Sequence, residues 1–250
     1  MGSKVNIVIP MAGAGSRFYN EGYSLPKPFI DIQGKMMIEH VLNGLSCPRA
    51  TYTLIVQEAF LLRNKDCLDK LRCGYDIQIQ TVERLTQGAT CTALAVYKLI
   101  NNKTPVIFAD ADNIFKHGIV SEFLSDSVER QLDGSLLTFE SNQECFSFVE
   151  LDSVGLAIRT AEKKVISNHA IAGVYYFKHG ECFVDQAIQN MIYNDRVGGE
   201  YYMSNIYNYL IKNNGKVGNF SISNEEWDCV GTPKLLREFV EKGGQPFQKS

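Results

Sequence analysis

The sequence predicts an α/β protein built on one mixed sheet, and three observations carry that prediction. A short apolar run, Ile7-Val8-Ile9, ends at Pro10 and gives way to Ala12-Gly13-Ala14-Gly15-Ser16-Arg17, the pattern of a buried first strand opening into a glycine loop. Apolar strand-like runs then alternate with helical spacings, as in parallel βαβ units. Beyond about residue 130 strands crowd together with few helices between them, which turns the parallel pattern into a mixed one. At 250 residues the chain can bury a full core as one domain, 1–250, whose parts 1–130 and 131–250 differ in texture.

The elements follow in order. Ile7 to Ile9 forms the first strand, and Met36 to Leu45 has the spacing of a helix. Thr51 to Gln57 is the second strand, followed by one charged amphipathic helix through Leu61 to Leu71 and a strand at Asp76 to Val82. Gly88 opens an apolar helix carrying Ala93, Leu94, Val96, Leu99 and Ile100. Thr104-Pro105 leads into Val106-Ile107-Phe108-Ala109, apolar throughout and therefore expected as a central parallel strand. Gly134 to Phe139, Phe146 to Leu151, Leu156 to Thr160 and His169 to Phe177 are the strands of the second half. Helices return at Cys182 to Tyr193 and Tyr202 to Lys212, then a strand near Val217 to Ile222 and a last helix from Pro233 to Val240. No linker, repeat or low-complexity stretch divides the chain.

Composition narrows the function classes. Lys and Arg number 25 against 28 Asp and Glu, a net charge of −3, which offers neither a nucleic-acid track nor a membrane-binding face. The seven cysteines are scattered without a C-x-x-C pair, arguing against a disulfide framework or a zinc site and fitting a reducing cytoplasm. The apolar run Val5 to Pro10 is too short for a signal peptide or a membrane span. Met1-Gly2 matches an N-myristoylation start in part, but Asn6 stands where Ser or Thr belongs.

The glycine loop is the first chemical signal. Such a loop lays N–H groups against phosphate oxygens, and Arg17 adds a fixed cation. Ten residues later Lys27 stands between Pro26 and Pro28, each of which fixes its own φ and stiffens the segment that presents the lysine. The dinucleotide fingerprint fails because Phe18 stands at its third glycine, and the phosphate-loop motif fails because Ser16-Arg17-Phe18 stands for G-K-[ST]. Asp110 and Asp112 follow the carboxyl end of the Val106 to Ala109 strand, where ligands collect in open α/β sheets. A lone Asp there is more often a turn or cap residue; two, at alternate positions of an extended segment, can share a hard cation.

With G-x-G-x-R, a loop of roughly ten residues and P-K-P, the sequence resembles the sugar-phosphate nucleotidyltransferase family. The resemblance extends over nearly the whole chain. Asp112-Asn113-Ile114-Phe115 is similar to the family's metal-bearing G-D-N-I-F, and Phe146 to Asp152 to its Y-G-V-V-E-F-D. Glu162-Lys163-Lys164 resembles E-K-P, Ser167 to Tyr175 resembles S-N-Y-A-x-x-G-x-Y, and Gly199-Glu200 to Tyr209 resembles the start of its G-E-x-x-x-[ST]-D-x-N helix.

The resemblance implies a Rossmann-like mixed sheet of the nucleotidyltransferase (GT-A-like) type in a single three-layer domain, with 1–130 the nucleotide-binding part and 131–250 the acceptor-binding part. It implies transfer of a nucleoside monophosphate from an NTP to a sugar 1-phosphate or other small phosphate, with release of pyrophosphate, for capsule or lipopolysaccharide precursors. Ala12, Gly13, Ala14, Gly15 and Ser16 would cradle the triphosphate, Arg17 and Lys27 would be catalytic, and Glu162, Lys163 and Gly173 would bind the acceptor. Mg²⁺ would be held by Asp112, with Asp110 as a further ligand. Glu83, Gln87 and Gly88 would contact the base. In members using thymidine or uridine nucleotides a glutamine stands five residues before the glycine matched by Gly88; here Glu83 stands there, and an ionised glutamate, which only accepts, favours the amine of cytosine and hence CTP.

Three positions depart from the family. Cys229 takes the aspartate column of W-x-D-[VT]-G-T, where Asp228 could serve as metal ligand after a small backbone shift. Ser147 replaces a glycine that lies against the sugar in hexose-using members, and Lys164 replaces the proline of E-K-P. The expected partners are an NTP and a small phosphorylated acceptor, with self-association into a homo-oligomer and no nucleic acid or membrane. The competing readings are a GT-A-type glycosyltransferase, which lacks the G-x-G-x-R and P-K-P motifs, and a non-catalytic regulatory homologue, against which Arg17, Lys27 and Asp112 speak.

Overall fold

The computed structural model describes residues 4–243, so the Met1-Gly2 pair lies outside the described residues. The chain runs β1 (Val5–Pro10), α1 (Ser16–Asn20), a 3-10 turn at Lys27–Phe29, a hairpin of β2 (Asp31–Ile32) and β3 (Lys35–Met36), α2 (Met37–Gly44), β4 (Ala50–Gln57), α3 (Glu58–Arg63), α4 (Lys65–Gly74) and β5 (Ile77–Val82). It continues with α5 (Ala89–Ala93), α6 (Tyr97–Ile100), β6 (Val106–Ala109), β7 (Asn113–Phe115), α7 (Ile119–Glu129), β8 (Gly134–Glu140), β9 (Ser147–Leu151), β10 (Ala157–Glu162) and β11 (His169–Phe177). The last elements are α8 (Gly180–Ile192), α9 (Met203–Lys212), β12 (Val217–Ile222), β13 (Trp227–Cys229) and α10 (Pro233–Glu241).

One nine-stranded sheet unites the two parts of the chain, in the order β10-β9-β11-β6-β1-β4-β5, with β8 pairing β11 and β12. β1 lies parallel to both β4 and β6, and β11 is antiparallel to β6. The chain leaves β1 on one side and returns through β6 on the other. Their carboxyl ends therefore open a crevice of the kind in which α/β sheets bind ligands.

Strand alternation builds a core on each face. Ile7, Ile9, Ile107, Ala109, Val174 and Tyr176 point to one side and pack with Val41 of α2, Phe123 of α7 and Leu236 of α10. Val8, Val106, Phe108, Tyr175 and Phe177 point to the other and meet Phe183 of α8 and Tyr207 of α9. The result is the three-layer α/β domain the sequence predicts.

Three local expectations are corrected. The helix expected through Leu61 to Leu71 is two helices, α3 and α4, broken at Asn64 (φ −126°, ψ 39°), whose amide Nδ2 donates to the Phe60 carbonyl at 3.1 Å. An asparagine side chain bonded to nearby backbone competes with helix propagation. The apolar stretch after Gly88 is α5, a 3-10 turn at Leu94–Val96, and α6. α7 and the antiparallel pair of β7 and β13 were not expected. β7 and β13 are too short to show a period, whereas α7 carries one in Ile119, Val120 and Phe123.

Candidate active site

The loop after β1 is tied down at its start, with Met11 N donating to the Ile55 carbonyl at 2.9 Å and Gln57 Nε2 to the Ala12 carbonyl at 2.7 Å. Gly15 precedes α1 at φ +62°, a left-handed conformation that glycine adopts without strain. A Cβ there would lie 3.7 Å from Lys27 Cβ, so loop and lysine pack together. Gly13, Ala14, Ser16 and Arg17 are exposed. Lys27 Nζ forms an ion pair with Asp112 Oδ2, both side chains being about one fifth exposed at 22%.

Ala111 and Asp112 are in a turn that follows Asp110, so Asp110 and Asp112 are not alternate positions of one extended segment. Asp110 N donates to the Gly173 carbonyl at 2.9 Å. Gly173 sits at φ +71°, and a Cβ on it would lie 2.4 Å from Asp110 Oδ2 and 2.4 Å from Asn113 Nδ2. Glycine is what lets the carboxylate lie there. Burial, then the charges of Asp112 and Glu162, push the Asp110 carboxyl up to about 8 against the pull of Lys27.

On β13, Cys229 lies opposite Asn113 and Asp228 opposite Ile114. A Cβ on Gly231 would meet both Asp112 Oδ2, at 2.6 Å, and Cys229 Sγ, at 3.3 Å. Burial and the Asp112 charge push the Cys229 thiol up to about 12. The structure thus brings Cys229, rather than Asp228, to the aspartate pair. The Asp228 carboxyl is raised by burial, and the charge that opposes that rise is Lys242.

At the other end of the site Ser147 and Ser204 both donate to Glu162 Oε2, the latter at 2.8 Å. Lys163 has φ +52° and is exposed at the rim, its Nζ donating to Tyr202 OH at 2.5 Å. A cleft of about 560 Å³ joins the two ends and is lined by Arg17, Lys27, Asp110, Asp112, Glu162, Gly173 and Asp228. The structure does not bring Glu83, Gln87, Gly88 or Lys163 into that lining. Glu83 and Gln87 are exposed, and Gly88, at φ +113°, packs on the Tyr201 backbone.

Sequence reasoning missed Ser204, Tyr175 and Tyr202, as well as the cleft-facing residues Leu235, Glu238 and Phe239 of α10 and Lys242 at its C-cap. The last four recur at helical spacing, a signal visible in the sequence but indistinguishable there from a core-facing stripe.

Among the described residues no group of three or more His, Cys, Asp and Glu is arranged to hold a metal ion. Two carboxylates nevertheless fit Mg²⁺, which takes one or two protein oxygens and completes its shell with substrate phosphates and water. The Cys229 thiol does not suit so hard an ion. No helix among the described residues is long and apolar enough to cross a membrane.

The model of the nucleotidyl transferase family matches residues 7–244. The chain belongs to that family. This nucleotidyltransferase is 26% identical over 237 residues to the bifunctional protein GlmU of Methanococcus vannielii, covering 92% of this chain and 52% of that protein. It is 25% identical over 233 residues to the protein of the same name from Methanococcus maripaludis. The chain spans about half the length of the curated relatives it matches.

Its fold is similar to the nucleoside-diphosphate-sugar pyrophosphorylase from Vibrio cholerae RC9, with a TM-score of 0.82 at 23% identity, covering 94% of this chain and 99% of that one. It is also similar to the inositol-1-phosphate CTP transferase from T. maritima, with a TM-score of 0.75 at 14% identity, covering 96% and 95%. At these identities the likeness is one of fold. Family membership supports nucleotidyltransferase chemistry and weighs against the glycosyltransferase reading.

Proposed function

We propose that this nucleotidyltransferase uses CTP in preference to other nucleotides and a small phosphate monoester as acceptor, in the cytoplasm, to make an activated precursor for a surface polysaccharide. The observation that carries the proposal is the convergence of Gly15, Lys27 and the Asp110–Asp112 pair at one end of the cleft. An acceptor phosphate oxygen attacks the α-phosphorus; the new P–O bond forms as the bond to the β-phosphate breaks and pyrophosphate leaves with its electron pair. A phosphate monoester has its second pKa near ~6, so it attacks as a dianion and needs no general base. The enzyme's task is alignment and neutralisation of charge.

In this reading Arg17 and Lys27 take the charge of the leaving pyrophosphate, and Lys163 takes the acceptor phosphate. Asp112 and Asp110 would hold Mg²⁺, which supplies charge neutralisation between phosphate oxygens. Glu83 supports the base preference through its acceptor-only chemistry at the end of β5. Ser147, which caps Glu162 where hexose-using members have glycine, supports an acceptor other than a common hexose phosphate.

A pyrophosphate-release screen of the four ribonucleotides and dTTP against a panel of small phosphates tests the proposal. CTP is expected to give the highest kcat/KM, and Glu83→Gln to shift preference toward UTP. A wild-type preference for UTP or dTTP, or an unchanged order in the variant, overturns the assignment of the base.

A further inference from the structure

We propose that the acceptor carries, besides its phosphate, a cationic nitrogen, protonated or quaternary, that seats at the aromatic and acidic end of the cleft. The inference rests on the nucleotidyl-transfer reading above and names the acceptor's chemical class.

The two ends of the cleft differ in charge. Arg17 and Lys27 face the Asp110–Asp112 pair at the phosphate end. Glu140, Glu162, Asp228 and Glu238 line the remainder, and Lys242 is the cation among the described residues lining that part. Lys234 also reaches Glu238, at 3.8 Å, but from a side chain that is 80% exposed and so largely screened. A neutral polyol would want paired donors and acceptors there, and an anionic group other than the phosphate assigned to Lys163 at the rim would be repelled. The walls are aromatic as well. Phe139 lies 5.0 Å from Phe146 and 4.4 Å from Trp227, ring centroid to centroid, and all three line the cleft. Aromatic faces attract ammonium groups, most strongly where water is excluded.

Two further details favour a donor-bearing or cationic ligand. Both serine hydroxyls on Glu162 bond to the same oxygen, Oε2, and no side chain among the described residues donates to Oε1. Asn113, 5% exposed and also in the lining, has an Oδ1 without a hydrogen-bond partner.

Pyrophosphate release is measured at saturating nucleotide with 2-aminoethyl phosphate, its N-trimethyl derivative, the uncharged carbon isostere 3,3-dimethylbutyl phosphate, and glucose 1-phosphate. The N-trimethyl ester is expected to exceed its isostere at least tenfold in kcat/KM. Glu238→Gln and Asp228→Asn should each reduce that ratio severalfold, through the acceptor KM, with the nucleotide KM unmoved and thermal melting unchanged. Parity between the ester and its isostere, or a higher kcat/KM for glucose 1-phosphate, overturns this inference and leaves nucleotidyl transfer standing. Absence of pyrophosphate release with every phosphate and every nucleotide overturns the proposed function itself, and this inference with it.

Discussion

Lys27 and Lys163 are both lysines of the cleft region, yet their surroundings assign them different duties. Lys27 is held by Asp112 beneath the glycine loop, which supports the proposal that it meets charge developing in the transition state; Lys163 is braced by Tyr202 at the rim. Lys27→Ala should lower kcat by roughly 10² to 10³, the usual loss on removing such a group, while Lys163→Ala should raise the acceptor KM more than the nucleotide KM. Steady-state kinetics with both substrates varied distinguishes the two; the reverse pattern would mean that the ends of the cleft have been exchanged. Asp110 governs a pH effect on stability. Its carboxyl is raised to about 8 in the folded protein, so above the ordinary carboxylate range the native state keeps a proton that the unfolded chain releases. Stability of the metal-free protein should therefore fall as pH rises from about 4 to about 8 and level off beyond. Urea midpoints across that range should show the slope, and Asp110→Asn should flatten it.

At the scale of elements, α10 forms one wall of the cleft and depends on its start. Thr232 Oγ1 accepts from Leu235 N at 3.2 Å, with Pro233 in the first turn. Thr232→Ala should cost about 1 kcal/mol in urea denaturation and raise the acceptor KM, since Glu238 lies on that helix and Lys242 caps its end. The strands were legible in the sequence because Ile7–Ile9, Val106–Ala109 and Ala170–Phe177 are runs free of charged and amide side chains. The break at Asn64 was not, because periodicity continues through it while one amide redirects the backbone. Arg17, Lys27, Asp110, Asp112, Glu162 and Gly173 were legible as motif residues and line or shape one cleft. Cys229 was legible only as a departure; its place beside Asp112 comes from the pairing of β13 with β7, between residues more than a hundred apart in sequence, which no local pattern encodes.

Over the whole molecule the two parts are clasped at Gly88. Tyr201 N donates to the Gln87 carbonyl at 2.8 Å and Thr90 N to the Tyr201 carbonyl at 3.3 Å. A Cβ on Gly88 would lie 2.5 Å from the Tyr201 oxygen, at a φ of +113° that side chains avoid. Gly88→Ala should destabilise the protein by about 2 kcal/mol or more through strain and overlap, a loss that urea titration can read. The position of β11 has a further consequence, for synthesis. β6 pairs with β1 on one side, but its other edge is covered only when residues 174–177 arrive. A growing chain that has completed β6 therefore carries a bare strand edge through some sixty residues of translation, the condition under which nascent proteins recruit chaperones or aggregate. Ribosome-stalled chains ending near residue 150 should remain protease-sensitive and bind a holdase, whereas chains that have extruded residue 177 should acquire protection abruptly.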